Sequence, residues 1–187
     1  PVPRLALALM AAGAAAVLAA WWHATPSVVG AAGWLDGAGR ITGLLAGYTA
    51  PVLLLLMARI PVLEHRVGSD RLARWHRLLG FTSFHLMLAH VVLITLGYAG
   101  TAHAGFLPEL WSLVWTYPGM LLATAGTGLL VMVVVTSIRM ARRKLRYESW
   151  HLLHLYAYLG VGLALPHQIW TGADFISSPW ARLYCWS

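Results

Sequence analysis

Charge is what this chain has least of. Asp, Glu, Lys and Arg make up 10% of its 187 residues, where a soluble domain carries about 25%. Hydrophobic residues make up 59%, and the mean hydropathy is +0.69. That balance excludes a soluble globular domain. Cysteine is nearly absent as well: Cys185 stands alone, so neither an intrachain disulfide nor a thiolate cluster is available. Acids number six, fewer than the nine histidines. Metal chemistry in such a chain has to be built on imidazole.

Long uncharged runs take the place of the missing charge. Several reach the roughly 20 residues needed to cross a bilayer. Spans are expected at about Leu5 to Trp22, Ile41 to Ala58, Trp75 to Tyr98, Pro118 to Ile138 and Glu148 to Trp170. Pro51 marks an expected kink in the second, which a helix bundle tolerates. Ser178-Pro179 reads as a further helix start, with Ser as cap and Pro in the first turn. The expected fold is an all-α integral membrane bundle occupying residues 1–187, with five complete spans and the start of a sixth. Ile60 to Trp75 is the one sizeable polar loop. The chain begins at Pro1 and stops at Ser187 within an apolar stretch, so a fragment is expected. No secretory signal peptide is needed to explain the first run.

The net charge of +7 is explained by topology rather than by nucleic acid. Arg4, the Arg59–Arg77 segment and the Arg139–Arg146 segment hold eleven of the thirteen Lys and Arg, all between spans on one side; Arg40 and Arg182 fall on the other. Positive-inside bias then places the N-terminus and both basic segments in the cytoplasm, as in a multi-pass membrane protein. Trp21, Trp22, Trp34, Trp111, Trp115, Trp170 and Trp180 fall near the opposite ends, as an aromatic belt at the lipid interface does.

Within the apolar runs, histidines are costly and need a partner or a task. His76 and His90 are fourteen apart on the third span; His154 and His167 are thirteen apart on the fifth. At 1.5 Å per residue these separations are roughly 21 and 20 Å. Two helices entering from the same side thus offer two matched levels: His76 with His154 near the inner face, His90 with His167 near the outer. Bis-imidazole sites of this kind hold haem iron. The sequence has no Cys-x-x-Cys-His for covalent attachment, so two b-type haems are expected. Fourteen residues return to the same helix face, whereas thirteen do not. A distortion at Pro166 is expected to bring His167 round. The competing reading makes these histidines buried polar residues bonded to neighbouring helices. His151, one turn before His154, is the rival at the inner level. His85 reads as a packing residue, and His65, His23 and His103 lie outside the spans. Arg74, Arg77 and Arg146 lie near the inner level, where haem propionates would pair with guanidinium groups. Arg74 and Arg77 are carried as candidate cofactor-binding residues.

Trp75-His76-Arg77 through His90 resembles the third helix of the ferric reductase and NADPH oxidase superfamily. Tyr147-Glu148-Ser149-Trp150, followed by His151-Leu152-Leu153-His154-Leu155-Tyr156 and ending in His167, resembles its fifth. The likeness covers about Arg59 to Trp170 and is nearest to the bacterial ferric-reductase-like membrane proteins, which implies a bacterial inner membrane. It implies a six-helix domain with two haems between the third and fifth helices. It also implies FAD and NAD(P)H on a cytoplasmic domain that here would be absent or supplied by a separate protein. Nothing in the chain matches such a domain, and no Gly-rich dinucleotide fingerprint follows a strand. The position four after His90 is Ile94, apolar where the oxidases carry polar residues tied to oxygen reduction.

The expected function is transmembrane electron transfer from a cytoplasmic reduced flavin or NAD(P)H donor to an external acceptor: ferric iron, a partner protein or oxygen. This is the membrane domain of an NAD(P)H-dependent oxidoreductase, inactive alone with the nucleotide. Its partners are membrane lipid, the reductase domain and the acceptor, with no nucleic acid. The alternative is a dihaem cytochrome b subunit exchanging electrons with membrane quinone or a periplasmic redox partner. A third class is a transporter with an intramembrane histidine proton relay.

Overall fold

In the computed structural model of the chain, the described residues are 2–24, 29–138 and 143–171. They form seven helices and no strand: α1 (Val2–Ala24), α2 (Gly30–Met57), α3 (Pro61–Val67), α4 (Ser69–Ala102), α5 (Phe106–Thr116), α6 (Met120–Ser137) and α7 (Tyr147–Thr171). Within them, α1, α2, α4 and α6 are long and apolar enough to cross a membrane. α7 is 25 residues long, enough for about 37 Å, yet it is not among those four. Its Trp, Tyr and His residues dilute its hydropathy. The expected start of a sixth span lies outside the described residues.

The chain divides into two units, Pro1–Phe106 and Leu107–Ser187. In the first, α2 and α4 pack along most of their length. Their close approach follows a register of small residues: a Cβ at Gly97 would meet the Asp36 backbone at 2.8 Å, one at Gly100 would meet Ala32, and one at Gly39 would meet Ile94. Small residues let membrane helices approach backbone to backbone. This packing extends α2 eleven residues before the expected start at Ile41. The four glycines of segment 30–40 lower its intrinsic helix propensity despite its alanines, and tertiary packing overrides that. Arg40, expected in an outer loop, therefore sits inside α2. α2 also runs unbroken through Pro51.

The expected loop from Ile60 to Trp75 is mostly helix. Pro61 opens α3 at its first turn, where a missing N–H costs nothing, and Glu64 suits the helix dipole there. Gly68, at φ 92° and ψ 134°, makes the sharp junction into α4. That backbone region is open essentially to glycine alone. Val67 and Leu72 bury against Leu56 of α2, with Val52, Leu63, Trp75 and Leu79 around them. The apolar positions of the supposed loop thus form a small core beneath the α2–α4 pair. On the other flank, Tyr48 donates to the Met10 carbonyl of α1 at 2.9 Å, and Gly13 leaves room for its ring.

In the second unit α6 and α7 form an antiparallel pair joined at Gly126 and Gly160. A Cβ at Gly126 would lie 2.6 Å from the Gly160 carbonyl oxygen. α5 is too short to span, and Leu107, Trp111 and Trp115 stand along one exposed face of it at i, i+4 and i+8. Throughout the described residues large apolar side chains are outside: Leu78 is 70% exposed and Phe81 66%. A soluble protein rarely leaves so much contiguous apolar surface uncovered; lipid covers it here.

Candidate haem-binding histidines

α4 continues without a proline from Ser69 to Ala102, so the fourteen-residue step keeps His76 and His90 on one side, roughly 21 Å apart along the axis. Both are half-buried against α2. The His90 ring donates from Nδ1 to the Gly39 carbonyl at 2.8 Å. His76 donates from Nδ1 to the Leu53 carbonyl at 3.3 Å. A carbonyl oxygen only accepts, so the proton sits on Nδ1 and, in the neutral ring, the lone pair is on Nε2. That is the tautomer of a histidine that ligates metal through Nε2 while its other nitrogen is held by a protein acceptor.

α7 presents its two histidines differently. His154 is half-buried, stacks on Trp150 at 5.1 Å between centroids, and meets the Ser137 hydroxyl of α6 through Nδ1 at 3.3 Å. The Ser137 hydroxyl also reaches the Val133 carbonyl at 2.7 Å. A hydroxyl both donates and accepts, so the Ser137 oxygen anchors Nδ1 of His154 in either tautomer. The His167 ring bonds through Nδ1 to the Ala164 carbonyl of its own helix. α7 is continuous through Pro166; the expected distortion does not break the helix. His167's backbone packs against Gly119, where a Cβ would lie 2.9 Å from the His167 nitrogen. Gly119 has φ +80°, so both its conformation and this contact call for glycine.

The four candidate ligands are thus all held through Nδ1, by an α2 carbonyl twice, a serine hydroxyl and an own-helix carbonyl. His85 also bonds through Nδ1, to Phe81, but it is exposed and lies against Phe81 and Phe84 of its own helix. That matches a packing role. His151 is exposed and stacks on Tyr147 with planes 8° apart. Of the two neighbours, His154 is the one turned into the helix pair. His23, His65 and His103 are exposed.

The arginines part company. Arg74 lines a groove of about 460 Å³ with Pro3, Arg4, Leu7, Arg71, Trp75 and Leu78, on the α1 side of α4. Arg77 is exposed one position beyond His76. Arg146 lies 3.8 Å from Glu148, both highly exposed, a pair worth little in solvent. Among the described residues, no three His, Cys, Asp or Glu gather into a metal site. Haem iron asks only two axial ligands of the protein. Sequence reasoning missed Gly39, Gly43, Leu53 and Ser137, the residues around the histidine rings. A Gly-x-x-x-Gly signature at Gly39–Gly43 was there to be read, but the expected span at Ile41 cut it in two.

Residues 42–165 match the family described as ferric reductase like transmembrane component. The match covers about two-thirds of the chain and includes His76, His90 and His154; His167 lies two residues past its end. The chain belongs to this family. Membership makes it a membrane domain of an oxidoreductase that moves electrons across the membrane. No curated protein and no solved structure matches it.

Proposed function

We propose that the chain carries electrons through two b-type haems, His76 and His154 holding the inner one, His90 and His167 the outer. What supports this reading most is the common anchoring of the four imidazoles: each Nδ1 lies at hydrogen-bond distance from a protein oxygen, a carbonyl in three of the four, which leaves Nε2 as the nitrogen to ligate iron. A haem bound there supplies a one-electron couple. The protein's share is placement, burial and the hydrogen bonds that tune the ligands. With two histidines holding each iron, a bound haem would pass electrons with no ligand exchange and little rearrangement.

The donor in this reading is a cytoplasmic reduced flavin fed by NAD(P)H, on another domain or protein, and the basic segments flanking α3 and α7 form its docking surface. The N-terminus is cytoplasmic in the inner membrane. Arg77 pairs with a propionate of the inner haem. Arg74, in the groove beside Arg4, is the second candidate for such a pair. The acceptor meets the outer haem at its edge, and Ile94 favours a ferric chelate or partner protein over oxygen. α7 serves as the fifth span despite its diluted hydropathy, because its polar residues are those turned to the cofactor and the interface. The test is to purify the protein, count haem by pyridine haemochrome, and mix the reduced form anaerobically with a ferric chelate or with oxygen. Two haems per chain and faster reoxidation by the chelate are expected. Much faster reoxidation by oxygen with stoichiometric superoxide would reverse the acceptor preference. Rapid carbon monoxide binding would contradict the filled axial positions.

A further inference from the structure

We infer that Gly39 and Gly43 of α2 are positioning residues for His90, fixing its ring plane and tautomer from the neighbouring helix. This rests on His90 being a haem ligand for its consequence, but not for its geometry. The Gly39 carbonyl takes the Nδ1 proton at 2.8 Å. One turn along α2, a Cβ at Gly43 would collide with the ring itself: its three nearest atoms are Nδ1, Cε1 at 2.7 Å and Cγ at 3.0 Å, all of His90. The space in front of Gly43 is thus the place of the imidazole. The two glycines act together. Gly39 is close to α4 because a Cβ there would strike the Ile94 backbone nitrogen at 2.8 Å, and that closeness brings its carbonyl within reach of the ring. Ile94, one turn beyond His90, occupies the seam on the other side of the same contact. The Thr42 hydroxyl lies between the Ala38 and Gly39 carbonyls, at 2.9 and 2.8 Å, and shares its one proton between them.

His76 lacks this arrangement. The nearest glycine in its part of the seam, Gly80, would place a Cβ 3.8 Å from Leu53, an ordinary contact. An alanine at position 43 therefore forces the His90 ring to turn and breaks its bond to Gly39, whereas an alanine at position 80 leaves His76 as it is. A ligand whose ring plane is fixed by the partner helix sets the orientation of the haem's axial field, and its Nδ1 bond sets the basicity of Nε2. Gly39 and Gly43 then govern one haem of the two.

Two measurements test this. In the full chain, Gly43→Ala should shift the low-spin ferric EPR signal and the midpoint potential of one haem, or lose that haem, while the other stays unchanged; Gly80→Ala should move neither. Unchanged signals and potentials for both haems in Gly43→Ala would overturn the inference. The second is a double-mutant cycle on thermal stability without reference to haem. Gly43→Ala should lower the melting midpoint in the wild-type background and have no effect in His90→Ala, where the ring has gone. An equal loss in both backgrounds, or failure of both to fold, means that the glycine serves the helix contact and not the ring, and the inference falls. Should the wild-type protein bind no haem, the proposed function fails and the cycle still decides the role of Gly43.

Discussion

The two helix pairs solve one problem in different ways. Both α2–α4 and α6–α7 bring antiparallel helices together at glycines, and both present two histidines. In the first pair the partner helix holds the rings: Leu53 and Gly39 accept from His76 and His90, and Gly43 makes room for one of them. In the second pair the glycines bring backbone to backbone. Gly126 faces the Gly160 carbonyl and Gly119 faces the His167 backbone, while the rings rely on a serine hydroxyl and on α7 itself. Ring orientation on α4 is thus a tertiary property and that on α7 is largely a local one. A mutation at Gly43 should therefore disturb the ligand ring in the first pair, whereas mutations at Gly126 or Gly119 should disturb the fold in the second.

The largest effects fall on the ligands. His76→Leu, His90→Leu, His154→Leu and His167→Leu should each remove mainly one haem, read by pyridine haemochrome content. If His154→Leu retains both haems and His151→Leu loses one, the assignment on α7 moves to His151. Next comes the second seam. Gly126→Ala forces a Cβ against the Gly160 carbonyl and should cost about 1–3 kcal/mol, the usual penalty for overpacking, seen as a lower melting midpoint in detergent. Gly128, with nothing within 4 Å of its Cβ position, is the control, and alanine there should gain about 0.5–1 kcal/mol from helix propensity. A similar loss at both positions would mean that the α6–α7 contact is not glycine-dependent. The smallest effect is at Ser137. Ser137→Ala removes the hydroxyl that anchors His154 Nδ1 and should cost about 1 kcal/mol while moving the potential of one haem. Ser137→Thr, which keeps the hydroxyl, should restore it.

The sequence made the spans and the histidines legible for physical reasons. Each run of α1, α4 and α6 is apolar on every side, and lipid demands no finer pattern, so composition alone marks the helix. The histidine levels follow from a rise per residue that α4 keeps to the end. What escaped was set by packing. Residues 30–40 read as loop because Gly30, Gly33, Gly37 and Gly39 weaken a helix in isolation; their value appears only beside Ile94, Gly97 and Gly100. α3 and Gly68 were hidden in a charged segment whose few apolar residues, Leu63, Val67 and Leu72, close a core with Leu56. Arg74 reads as a partner for the inner level from its position near His76; the groove it lines beside Arg4 depends on how α1 packs, and two residues turn a helix by about 200°. The partners of the imidazoles escaped because three of the four are backbone carbonyls, which carry no side-chain signature.

The labelling of the two ends is open to a direct check. A single cysteine introduced at Ser69 should react with an impermeant thiol reagent only from the cytoplasmic side, and one at Gly105 only from outside. Labelling of Ser69→Cys from outside would invert the topology and the direction of electron flow.

The central claim is that the two histidine pairs hold two haems. The haem-to-chain ratio of the purified protein, taken with its reduced-minus-oxidised spectrum and low-spin EPR, tests it most directly. Two non-covalent b-type haems per chain, both bis-histidine and both unreactive to carbon monoxide, are the predicted result. One haem or none per chain, with the four histidines intact, would contradict it.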